Sequence, residues 1–197
     1  MAERGRALAP TTSLRWVQGY APEFAKRWKR FAVAAGEAWR VDETYVKISG
    51  QWGCRYRAVD RTGKTVDFRL SLRRGVAAAL AFLKNAIKRQ GCTPQTITLD
   101  GYGASHRAVH EMQADGLLPQ DTQLRSSQDL NNLIELDHRG VKLRRATMPG
   151  FKSFKNAAIT IAEVELMHRL SKGQFNLAQL RFKETPAPAI CNAVRSP

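Results

Sequence analysis

Residues 66–70 read Val-Asp-Phe-Arg-Leu, apolar and polar in strict alternation. Side chains on a strand point to opposite faces with period two, so this segment predicts a half-buried strand. The same period begins near residue 39, where Val46 and Ile48 share a strand face with Asp42 and Thr44. Residues 52–60 form another candidate strand, and 61–64 make a turn around Gly63. Strands joined by connections this short run antiparallel, which predicts a three-strand meander.

The period then lengthens. Gly75 precedes a run in which Val76, Leu80, Leu83 and Ile87 recur at helical spacing, and Gly91 and Pro94 close it. A short strand over 96–99 ends on Asp100. Ser105 is a candidate cap for a helix reaching about Ala114, and 122–125 form a weak strand. A helix is expected from near 129 to 145, stopped by Pro149 and Gly150. Ser153 caps a last helix over 154–170, which Gly173 terminates. Upstream, Thr11, Thr12 or Ser13 caps a helix beginning near Leu14. Pro22 interrupts it, and a second helical run is expected over 23–35.

A meander followed by crossovers back to the same sheet is the plan of ribonuclease-H-like domains. The expected class is α/β, a mixed sheet flanked by helices and preceded by a helical segment, although other α/β arrangements also fit. The expected divisions are 1–36, 37–180 and a loosely attached tail over 181–197.

Charge narrows the partner. The chain of 197 residues holds 32 Lys and Arg against 17 Asp and Glu, a net charge of +15. Such an excess repels itself in a compact fold and is offset by a polyanion, since each cation beside a phosphate releases condensed counterions. Basic clusters occupy 25–30, 69–74 and 139–145. Cys54, Cys92 and Cys191 are too scattered for a disulfide framework or a zinc site. No apolar stretch is long enough to span a bilayer and no secretory signal is visible, so a cytoplasmic location without a membrane partner is expected.

Phosphodiester chemistry with two metal ions needs carboxylates from separate elements converging on one point. Asp42 lies in line with apolar strand residues, where a charge requires a partner. Asp100 ends an apolar strand, where open sheets place ligand sites. Strands 1 and 4, if neighbours, would set the two side by side. On the helix expected over 130–143, Leu130, Leu133, Ile134 and Val141 take one side, and Glu135, His138, Arg139 and Lys142 take the other. Taken singly each carboxylate also admits a structural role: Asp42 paired with a buried Arg, Asp100 capping a turn, Glu135 in a surface pair with Arg139.

Thirty-four residues separate Asp100 from Glu135, and Lys142 follows seven later. This spacing resembles the core motif of DDE transposases. The words WRVDETYVKISGQWGCRYRAVDRTGKTVDF, NNLIELDHRGVKLR and GFKSFKNAAITIAEVELMHRLSKGQF resemble transposases of the insertion-sequence-six family from about residue 39 to 180. The resemblance implies a ribonuclease-H-like catalytic domain, two Mg²⁺ or Mn²⁺ ions and a triad of Asp42, Asp100 and Glu135. It also implies Lys142 as a DNA contact, with His138 and Arg139 in the same family word. It implies action on insertion-sequence ends and target DNA, as a homo-oligomer on DNA. A non-catalytic DNA-binding remnant is the alternative.

Two departures stand out. The family usually has Lys after the second aspartate, where this chain has Gly101. The N-terminal words match only the later part of the family's helix-turn-helix, which predicts a partial DNA-binding module over 1–36. Arg15 and Gln18 are groove readers if 12–21 form a recognition helix, the alternative being a basic amphipathic helix packed on the domain. His106 and His110 are four apart but lack the context of a zinc site. Asp60 suits a turn better than a metal. Trp16, Trp28, Trp39 and Trp52 suit packing more readily than base stacking.

Overall fold

The computed structural model describes residues 15, 19–20, 22–23, 25–28, 30–126 and 150–176. The chain divides into two units, 34–152 and the pairing of 1–33 with 153–197.

The larger unit is built on the expected meander: β1 (Ala38–Ile48), β2 (Gln51–Asp60) and β3 (Thr65–Ser71). Helix α1 (Val76–Gln90) then crosses to β4 (Thr96–Leu99), and α2 (Gly103–Ala114) crosses to β5 (Gln123–Ser126). The sheet order is β3-β2-β1-β4-β5. β1–β2 and β2–β3 are antiparallel, whereas β1–β4 and β4–β5 are parallel. This mixed five-stranded arrangement, with helical crossovers to the parallel half, is ribonuclease-H-like.

One face of the sheet explains the alternation. Trp39 and Val41 of β1, Tyr56 and Ala58 of β2, and Ile97 and Leu99 of β4 are buried in one core with Ala79, Phe82, Leu83 and Ala86 of α1 and Ala108, Val109 and Met112 of α2. Tyr56 stacks on Phe82 with ring centroids 5.8 Å apart. Gly91 ends α1 at φ 74°, a left-handed conformation that glycine adopts without a Cβ clash, and its N–H returns to the Ile87 carbonyl. Arg89 at that end pairs with Asp67 of β3 at 2.6 Å, and Gln90 Nε2 donates to the Val66 carbonyl at 2.7 Å, docking α1 on the sheet edge.

Asp60 performs the turn role its position suggested. Its Oδ1 accepts from the Thr62 and Lys64 N–H groups and the Thr62 hydroxyl, and Oδ2 accepts from the Gly36 N–H at 2.9 Å. Burial alone would push its carboxyl up, but these donors hold it below the ordinary carboxylate range.

In the smaller unit Ser153 caps α3 (Phe154–Ser171), its side chain accepting from the Asn156 N–H at 3.3 Å. Leu166 and Leu170 pack on Trp28, Phe31 and Phe175. The expected helix over 23–35 stops short. Residues 30–31 turn, the Phe31 N–H bonding the Trp28 carbonyl at 3.0 Å, and Ala32 bridges Phe175 in antiparallel fashion. Local helix propensity yields there to burial of Phe31 and Phe175 against the Trp28 ring. Among the described residues, no helix is long and apolar enough to cross a membrane.

Candidate active site

The β1–β4 ladder ends with Val41 opposite Leu99. Asp42, within β1, and Asp100, just past the end of β4, come next along the two chains, so the two aspartates stand side by side where the parallel pairing stops. Asp42 faces away from the core of α1 and α2, opposite Arg57 on β2, and Thr44 faces Arg55. Both arginines are buried, at 2% and 1% exposure for Arg55 and Arg57. The structural alternative for Asp42 is thus partly realised: Arg55 and Arg57 both act on it electrostatically.

Those cations do not win. Burial raises the Asp42 carboxyl above its ordinary range, against the Thr44 hydroxyl bond at 3.1 Å and the pull of Arg55 and Arg57. Burial likewise raises Asp100. The Tyr102 N–H, at 3.3 Å from Oδ1, draws it down, and the negative charge of Asp42 pushes it further up. The negative charge of Asp42 thus works against ionisation of Asp100, a repulsion that a bound cation would relieve.

Around Asp100 the helix α2 supplies unforeseen groups. Ser105 is not the cap of α2; that position is Tyr102, which makes no side-chain cap bond. Ser105 lies inside the helix, and its hydroxyl donates to Glu43 Oε1. His106 places Nε2 3.2 Å from the Asp100 carbonyl, a more local role than zinc binding. Glu43 also accepts from Arg74 Nε at 3.0 Å through Oε2, and its side chain is 3% exposed. Sequence reading passed over Glu43, although a signal was present. Two-residue periodicity puts it in line with Trp39 and Val41, where a carboxylate must be matched.

Of the remaining expected site residues, Arg15 is helical and exposed, in the smaller unit. Gln18, Glu135, His138, Arg139 and Lys142 lie outside the described residues. Among the described residues no three His, Cys, Asp or Glu side chains gather to hold a metal ion.

Comparison with known proteins gives the site a family. A family model described as a DDE domain matches residues 36–174. The transposase for insertion sequence-like element IS431mec of Staphylococcus aureus is 37% identical over 172 residues, 87% of this chain and 75% of that protein. The transposase for insertion sequence element IS257 in transposon Tn4003, also from Staphylococcus aureus, is 37% identical over 169 residues, 86% of this chain and 73% of that protein. Among solved structures, the catalytic core domain of BIV integrase has a TM-score of 0.48 at 18% identity, over 67% of this chain and 84% of that one. The HTLV-2 integrase catalytic core domain in complex with magnesium has a TM-score of 0.44 at 17% identity, over 67% of this chain and 85% of that one. The family match takes in the whole sheet, both crossover helices and both aspartates, and with most of each transposase aligned, the chain belongs to the DDE transposases of the insertion-sequence-six family, enzymes that cleave and join DNA strands.

Proposed function

We propose that Asp42, Asp100 and Glu135 form the carboxylate set of this transposase, that they take Mg²⁺ or Mn²⁺, two ions in all, and that they act on the ends of an insertion sequence and on its target DNA. The carrying observation is the adjacency of Asp42 and Asp100 one step past the Val41–Leu99 pair, with the charge of one raising the other. Two neighbouring carboxyls that are both raised fit a divalent cation, whose binding favours the ionised form of each.

The described residues on either side of Glu135 support its inclusion. The chain enters the segment between them after Ser126, which pairs with Leu99, the residue before Asp100. It leaves through Phe151, which bridges Ile48 at the end of β1. The Phe151 N–H bonds the Lys47 carbonyl at 3.1 Å, and its carbonyl accepts the Ser49 N–H at 2.7 Å. Both ends of the segment are therefore held on the sheet that presents the two aspartates.

Bound divalent ions would supply Lewis-acid stabilisation of the oxygens that attack and leave phosphorus. The protein's own part is to hold the carboxylates and to seat DNA. Asp42 within β1 and Asp100 just past β4 present the carboxylates, with Arg55 and Arg57 favouring the ionised form of Asp42. Lys142, Arg139 and His138 are assigned to DNA contacts on the face of Glu135, and Arg15 and Gln18 to end recognition. Residues 1–36 serve as the DNA-binding segment, 37–180 as the catalytic domain and 181–197 as a tail. The protein works as a homo-oligomer on paired ends, without a membrane partner and in the cytoplasm. Nicking of supercoiled plasmid tests this reading: it requires Mg²⁺ or Mn²⁺ and vanishes in Asp42→Asn and Asp100→Asn. Nicking by either variant at the wild-type rate would refute it.

A further inference from the structure

Asp100 lies beyond the ladder, so no backbone pairing fixes its distance from Asp42. Its own bonds, from the Tyr102 N–H and to His106, are local. They tie Asp100 to the start of α2 and leave its relation to β1 open. The link across comes from Glu43, the residue after Asp42. One oxygen of Glu43 accepts from Ser105 in the first turn of α2, and the other accepts from Arg74 Nε at 3.0 Å. The Arg74 guanidinium in turn lies 3.4 Å from the centroid of the Tyr102 ring, in the loop that follows Asp100. Arg74 is itself braced by β1, lying 5.0 Å from the Tyr45 ring centroid and donating to the Tyr45 hydroxyl. Glu43 thus reaches the Asp100 loop twice, directly through Ser105 and indirectly through Arg74 and Tyr102.

We propose that Glu43 is a positioning residue for the reaction, acting through Ser105 and Arg74 to set the spacing of Asp42 and Asp100. A buried ion pair is weak evidence for stability, and its better-attested use is to specify one arrangement. Here two hydrogen-bonded oxygens on a nearly buried carboxylate fix the loop at the point where the strand pairing stops. The planar guanidinium both accepts the Tyr102 ring on its face and donates in its plane, which a lysine ammonium cannot do.

The proposal rests on the reading of Asp42 and Asp100 as metal-holding residues, so its test carries both. Mn²⁺ binding to the purified full chain is followed by electron paramagnetic resonance, alongside plasmid nicking, for Glu43→Gln, Arg74→Ala, Arg74→Lys and the Glu43→Gln/Arg74→Ala double variant. Removing groups that orient metal-holding side chains costs about 10- to 100-fold in metal affinity or activity. Each single variant should weaken Mn²⁺ binding and lower kcat by about tenfold, with KM for DNA unchanged. Arg74→Lys should not rescue, and the double variant should be no worse than the poorer single one. Wild-type Mn²⁺ binding and kcat in Arg74→Ala, or losses that multiply in the double variant, would overturn the proposal. Arg74 is partly exposed, so Arg74→Ala decides the matter if Glu43→Gln fails to fold. Asp42→Asn and Asp100→Asn are run beside them. If these bind Mn²⁺ as wild type does, the site reading has failed; if they lose it while Arg74→Ala does not, only the positioning role has failed.

Discussion

Asp42 and Asp100 each follow one member of the same cross-strand pair, Val41 and Leu99, the last of the parallel pairing between β1 and β4. Parallel pairing between β1 and β4 exists only because α1 carries the chain back across the sheet. The apolar spacing of Ala79, Phe82, Leu83 and Ala86, which seats α1 on the sheet, is therefore also what brings two carboxylates separated by 57 intervening residues to one edge.

Both aspartates are raised, mainly by burial. An acid raised above its unfolded value, about 3.9 for aspartate, holds more protons folded than unfolded. Stability then falls as pH rises from that value through the raised one, and the penalty is complete above it. Asp100→Asn should accordingly raise the Tm of metal-free protein at neutral pH. The gain should shrink as pH is lowered toward the ordinary aspartate range. Differential scanning fluorimetry across pH, with chelator and then with Mn²⁺, checks this. Mn²⁺ should raise the Tm of the wild type and leave that of Asp100→Asn nearly unmoved.

Asp60 shows the opposite sign. Its carboxyl is held low by donors from Gly36, Thr62 and Lys64 that outweigh burial. Its contribution to stability is present above the ordinary carboxylate value and is lost as pH falls through the lowered one. Asp60→Ala removes the shared acceptor of three partly buried hydrogen bonds and should cost about 1–2 kcal/mol in urea unfolding at neutral pH. A loss below 0.5 kcal/mol would show that the turn holds without it.

Cys54 is buried on the core face of β2. Burial first, then the nearby Glu43 charge, push its thiol up to about 12. A thiol is nucleophilic only as thiolate. Iodoacetamide at neutral pH should leave Cys54 unmodified in the native protein and label it in urea, while the half-buried Cys92 reacts in the native state. Peptide mass spectrometry reads both sites.

Much of this was legible in the chain. The alternation of Val66, Phe68 and Leu70 gave the meander, and the apolar run ending on Asp100 gave the strand that meets β1. Asp60 could be assigned to a turn because Gly63 lies three residues on. The misreadings have one physical origin, since tertiary partners override local signals. Ser105 looked like a helix cap because serine satisfies free N–H groups locally, yet a buried carboxylate on β1 claims its hydroxyl. Residues 30–35 looked helical by propensity, yet 30–31 turn and Ala32 bridges Phe175. Glu43 was passed over because its role depends on Arg74, 31 positions away.

The central claim is that Asp42, Asp100 and Glu135 act together on DNA. Strand transfer of a labelled insertion-sequence end into plasmid, by purified full chain in Mg²⁺ or Mn²⁺, tests it most directly through Glu135→Gln. Strand transfer should fall about 10³-fold or more, with end binding retained, matching the falls in Asp42→Asn and Asp100→Asn. Strand transfer by Glu135→Gln within tenfold of wild type would contradict it.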